Sequence, residues 1–213
     1  MKIQKYLVGL SLGLLLGLFC AGQVMAIEEP KFDVVLSDGP FEVRHYAPML
    51  VAETFVEGDM DEASNKGFRL IADFIFGNNQ APESATPAKV AMTAPVTVEP
   101  QIGQSWAPNM KASTQWRVNF VMPSQYTLAS IPKPKNNAVG LRELPSKYFV
   151  VLKYSGLNTL AKVQVKTQEA TAWALKKNLT LMGTPQLSRY DPPWTLPLFR
   201  RNEIMIEVAA PKP

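Results

Sequence analysis

The chain has one cysteine, Cys20, and one histidine, His45, among 213 residues. A lone cysteine forms no internal disulfide, and a Cys/His set of zinc or iron–sulfur spacing is missing. With a single imidazole and no nucleophile elbow, a Ser/His/Asp arrangement has nothing to stand on, so a general base would have to be a carboxylate. A glycine-rich phosphate loop is absent too. Lysine and arginine nowhere cluster, and the net charge is only +4, which argues against a nucleic-acid partner. One apolar run, Leu7 to Phe19, is too short to span a bilayer comfortably, and no second run follows.

That run belongs to a processing segment. Lys2 and Lys5 precede it and Val24-Met25-Ala26 ends it with the small residues a signal peptidase reads, so residues 1–26 are expected to be a signal peptide and 27–213 the folded domain. Export to the periplasm or outside the cell follows. Cleavage would remove Cys20 and both lysines, leaving a charge of +2 and a chain of one-domain size. Lipid attachment at Cys20 is disfavoured by the bulky Phe19 before it.

Ile27 to Pro40 reads as a lead-in that ends in the turn Ser37-Asp38-Gly39-Pro40. The next strand places Phe41, Val43 and His45 on one face and Glu42, Arg44 and Tyr46 on the other, and Met49 to Val56 continues as strand after Pro48. A helix capped by Asp59 or Asp61 carries Met60, Ala63, Phe68, Ile71, Phe74 and Ile75 at helical spacing and stops at Gly77-Asn78-Asn79. Strands are predicted over 90–98, interrupted at Pro95, and over 116–122, where Trp116, Val118 and Phe120 alternate with Arg117 and Asn119. A loop between them holds Trp106 and Pro108.

The second half repeats the plan. At an offset of 98, Arg44 falls on Arg142, Val51 on Phe149 and Gly58 on Gly156. A helix over 157–178 presents Leu160, Val163, Ala170, Trp173 and Ala174, and strands over 186–190 and 202–208 close the half. Two strand–helix–strand–strand units predict an α+β fold, a distorted antiparallel β-barrel or curved sheet flanked by two helices.

Three segments carry a resemblance to a known family: Phe41-Glu42-Val43-Arg44-His45-Tyr46-Ala47-Pro48, Lys89-Val90-Ala91-Met92-Thr93-Ala94-Pro95-Val96, and Pro192-Pro193-Trp194-Thr195-Leu196-Pro197 leading into Arg200-Arg201-Asn202-Glu203. Their order over residues 39–209 resembles the SOUL haem-binding family. The resemblance implies the same fold, non-covalent binding of haem or another tetrapyrrole, and His45 as axial ligand of the iron, because a family member has histidine in a closely similar context. A haem also needs an apolar slot and cations for its propionates. Phe68, Ile71 and Phe74 either line that slot or fill the core, and Lys66 and Arg69 either pair with propionates or form a solvated helix face. Met92 reads as core filling, with thioether ligation the lesser alternative, and Trp194 as a plug for the core or a lip over a ligand. Arg200 and Arg201 are expected to pair with carboxylates.

The leading function is therefore an exported haem binder that sequesters or carries haem, without enzymatic activity. The alternative is a small-molecule-binding or hydrolase domain like the gyrase-inhibitor group, with Glu53 or Glu143 as the residues to test. Oligomeric state stays open.

Overall fold

The computed structural model describes residues 27–82, 84, 86–101 and 113–211. Residues 1–26, with Cys20, and the loop residues Trp106 and Pro108 lie outside the described residues. Strands β1 (Phe32–Asp38), β2 (Phe41–Tyr46) and β3 (Met49–Glu57) lead into helix α1 (Met60–Ile75). Short β4 (Asn79–Gln80), then β5 (Val96–Pro100), β6 (Gln115–Val121), short β7 (Lys133–Pro134), β8 (Gly140–Leu144) and β9 (Lys147–Tyr154) precede helix α2 (Leu160–Lys176). Strands β10 (Gln186–Arg189) and β11 (Asn202–Val208) end the fold.

Nine strands form one antiparallel sheet in the order β1-β2-β9-β11-β10-β5-β6-β3-β8. The sheet curls into a half-barrel with both helices packed on it. The repeat explains this order. Units β3-α1-β5-β6 and β9-α2-β10-β11 meet at the central β5–β10 pair, and each is extended by the strand preceding the other unit, β8 on β3 and β2 on β9. Neither half closes alone.

Period-two alternation sorts the side chains. Ala52, Val98, Val118, Phe120, Val150, Leu187, Ile204 and Ile206 face the helices and form the main core, joined by Ile71 and Phe74 of α1 and by Val163, Ala170 and Ala174 of α2. The Asp59 carboxylate accepts from Glu62 N at 2.8 Å and the Thr159 hydroxyl from Lys162 N at 3.3 Å, so each helix starts on a side-chain cap. The paired glycines of the repeat, Gly58 and Gly156, both have positive φ, 132° and 106°, where a side chain is strained. Each turns the chain from strand toward helix.

Two expectations change here. The lead-in is largely strand: β1 pairs along β2 as the sheet's edge, with Val34, Val35 and Leu36 exposed. An edge strand that buries little has no firm alternation to read. The strand expected over 90–98 starts only at Val96, because the segment before Pro95 turns to bond the lead-in, Ala94 N donating to Glu28 O at 2.9 Å, while Thr93 Oγ1 donates to Val121 O.

On the face away from the helices, Arg44 and Glu203 are fully buried and joined by two bonds of 2.9 and 3.0 Å across β9. Arg44 also donates to Glu42 at 2.7 Å and to Tyr46 Oη at 2.9 Å, and Glu203 accepts from Tyr190 at 2.7 Å and from Arg201 at 3.1 Å. Removing one member leaves a buried charge uncompensated. Arg44→Met should lower the unfolding free energy by about 3–5 kcal/mol in denaturant titrations. Arg142→Met, which breaks a pair with Glu53 whose arginine is 41% exposed, should cost under about 1 kcal/mol. Equal losses would contradict this account.

Candidate functional site

Two surfaces stand out, one apolar and one a cleft. The apolar one is the β10–β11 loop. Three prolines deny it backbone donors, so it forms no ladder, and Arg200 holds its shape by donating to Thr195 O at 2.8 Å and to Pro193 O. The loop turns four large apolar side chains outward: Trp194, Leu196, Leu198 and Phe199 are 82, 66, 72 and 69% exposed. A soluble protein seldom presents such a cluster without a use for it.

Helix α1 meets the foot of this loop. Arg189, the last residue of β10, donates to Ser64 Oγ and to Asp61 Oδ1, both at 3.1 Å. Positions 61, 64 and 68 share one stripe of a helix, so the flank that meets the loop's foot also carries Phe68. That ring is partly exposed and lies 5.6 Å from Phe120. Arg69 beside it is exposed, and neither Arg69 nor Arg200 has a carboxylate partner among the described residues.

The residues singled out from sequence scatter around this surface. Ile71 and Phe74 are fully buried against the sheet, so they fill the core and line no slot. Lys66 points elsewhere on α1, its ammonium 3.4 Å from Glu62 and 3.3 Å from Glu57 O. His45 stands on β2, whose helix-side face meets α2 through the Phe41–Trp173 stack at 5.1 Å, whereas α1 packs on β3, β5 and β6. Its ring stacks on Tyr148 at 4.4 Å, and Nε2 hydrogen-bonds Ser146 Oγ at 2.5 Å. The structure thus separates His45 from Phe68 and Arg69. Trp194 is no plug, since most of its surface is in solvent, and Met92 is exposed rather than core filling. Arg201 does find carboxylates, Glu203 and Glu29, whereas Arg200 binds loop carbonyls.

The second surface is a cleft of about 110 Å³ on the sheet face away from the helices. Val51, Val121, Phe149 and Met205 supply apolar wall, and the ion pairs Arg142–Glu53, Arg117–Glu99 and Lys147–Glu207 stand around it. No motif announced it. Its signal was the polar half of the β6 alternation, Arg117 and Asn119 facing away from Trp116, Val118 and Phe120.

A model of the SOUL heme-binding protein family matches residues 27–207. The chain belongs to this family. "Heme-binding protein 2" of Homo sapiens is 28% identical over 146 residues, 65% of each chain, and that of Mus musculus is 27% identical over 154 residues, 70% of each. The chain thus spans about two thirds of the length of the human relative. Among solved structures, an uncharacterized conserved protein from Listeria innocua superposes with a TM-score of 0.58 at 14% identity, over 79% of this chain and 92% of that one. The C-terminal domain of EcmrR gives 0.56 at 11%, over 79% and 96%. These two share the fold.

A porphyrin needs apolar contact and cations, and the loop with the Phe68 flank of α1 offers both. His45 lies on another part of the sheet from this surface.

Burial pushes the Tyr46 phenol up to about 12 against the pull of Arg44, and it raises Tyr154 and Tyr190 as well, the Glu203 carboxylate adding to the rise of Tyr190. Unfolded phenols ionise near 10, so above that pH the unfolded chain sheds protons that the native chain keeps. Stability should be flat with respect to these groups below about pH 9 and fall as pH climbs from about 10 to 12. Phenolate absorbance of the native protein should show a matching delayed fraction. Full titration near pH 10 with unchanged stability would contradict this assignment.

Proposed function

We propose that this SOUL protein is an exported haem carrier that takes the porphyrin, non-covalently, onto the ledge made by loop 191–200 and the Phe68 flank of α1. The observation that carries the reading is the set of four large apolar side chains, Trp194, Leu196, Leu198 and Phe199, turned into solvent on a loop whose foot is bonded to that helix. Family membership supplies the ligand. Haem held there supplies a porphyrin-bound iron, and the chain's own part is to cover the ring. Burying one large side chain against it is worth about 1.5–3 kcal/mol. Arg200 and Arg69, with no carboxylate of their own, stand ready for the propionates.

Export rests on the amino-terminal pattern of Lys2 and Lys5, the apolar run and Val24-Met25-Ala26. A carrier outside the cytoplasm would meet free haem there. Sequencing the native product should give Ile27 as its first residue. A lipid-modified Cys20 would instead make the protein a membrane-tethered one.

Titrating ferric haem should shift and saturate the Soret band near one equivalent. Trp194→Ala should weaken binding about ten- to a hundredfold, the loss of one buried aromatic, while His45→Ala should keep both spectrum and affinity. The opposite pattern, with His45→Ala losing a nitrogen-ligated spectrum and Trp194→Ala binding normally, would move the haem to the β2–β9 edge.

A further inference from the structure

We propose that the cleft on the sheet face away from the helices is a second binding site, for a small uncharged ring that presents an amide N–H beside its carbonyl, such as a lactam or cyclic imide. The argument starts from register. Glu53 of β3, Asn119 of β6, Thr97 of β5, Ser188 of β10 and Glu203 of β11 are successive cross-strand partners, so one polar side chain per strand forms an unbroken row on this face. All but one are satisfied within the protein. Glu53 binds Arg142 at 2.7 and 2.9 Å, Glu203 binds Arg44, and Ser188 donates to Met205 Sδ at 3.2 Å. With the serine proton committed, the 3.0 Å contact between Thr97 and Ser188 has Thr97 as donor, which leaves the threonine oxygen only as an acceptor toward the cleft.

Asn119 is the exception. It lines the cleft, is only 8% exposed, and its carboxamide has no hydrogen-bond partner among the described residues. Its amide atoms reach the solvent of the cleft, unlike the sealed Thr171 Oγ1 and Arg189 Nε, so a ligand there would take the place of cleft water at both groups. Its N–H and carbonyl lie side by side, so the group that satisfies both at once carries a donor next to an acceptor, as when asparagine reads the edge of a base.

Size and charge narrow the class. A cleft of about 110 Å³ is smaller than the roughly 150 Å³ cavity that takes up benzene, so an occupant that opens partly to solvent has one ring. Arg117, Arg142 and Lys147 already have Glu99, Glu53 and Glu207, and a charged ligand would have to break one of these pairs. A neutral ligand breaks none. Val51, Val121, Phe149 and Met205 give its ring apolar walls.

The probe is 2-pyridone, titrated into the isotope-labelled protein while the side-chain amide resonances are followed by NMR. A saturable shift of the Asn119 amide is expected, with at least tenfold weaker binding to Asn119→Leu and to Thr97→Val, both checked for an unchanged unfolding temperature. N-methyl-2-pyridone, which has lost the donor, should bind at least tenfold more weakly to the unaltered protein. Haem affinity should be the same in all three proteins, so failure here and failure of the haem reading are distinct. No saturable shift, equal binding of the methylated probe, or shifts centred on loop 191–200 would each overturn the proposal.

Discussion

The buried pair Arg44–Glu203 is the constraint around which the sheet is arranged. Two charges without solvent exposure are tolerable only when their bonds are nearly complete. Here Arg44 reaches Glu42, Tyr46 and both oxygens of Glu203, while Glu203 also takes Tyr190 and Arg201. The guanidinium further lies 4.2 Å over the Phe32 ring. Strands β1, β2 and β11 and the entrance to the apolar loop are thereby fixed to one point. Since β2 belongs to one unit in sequence and to the other in the sheet, this pair locks the exchange between the halves.

Duplication makes the two halves alike, and the same network makes them unlike. The Arg44–Glu203 network fills one part of the face away from the helices. Beside it the cleft opens between Phe149 and Met205 of β9 and β11 and Val51 and Val121 of β3 and β6, with ion pairs around it and the Asn119 amide opening into it. The opposite asymmetry holds at the strand ends, where the β10–β11 loop turns Trp194 and Phe199 outward. The proposed haem ledge and the proposed amide site thus lie on different parts of the molecule.

Much of the fold could be read from residues alone. The cap at Asp59, the glycines at 58 and 156 and the strand alternation are local signals, and local signals survive folding. The Thr159 cap that starts α2 at Leu160 was not read, and the helix was expected from Leu157. The faces of β2 were legible for the same reason: Glu42, Arg44 and Tyr46 do share one network and Val43 the core. What was not legible depended on tertiary context. Phe68 fits the helical period as well as Ile71 and Phe74 do, yet only the sheet decides that the last two are covered and the first is not. Trp194 read as a core plug or a lip over a ligand, the plug because large aromatics usually bury, and the three prolines gave the counter-signal by keeping its segment out of the ladder. His45 shares its face with Val43 as expected, but which helix covers that part of the sheet is set by the strand exchange, and it is α2.

The central claim is that haem lies on the loop and α1 rather than beside the histidine. Paramagnetic broadening by bound ferric haem tests it most directly, because the effect falls off steeply with distance from the iron. Resonances of Trp194 to Phe199, Phe68 and Arg69 should broaden on adding one equivalent, while those of His45, Ser146 and Tyr148 keep their width. Broadening centred on His45 and Tyr148, with a sharp Trp194 indole signal, would contradict the account.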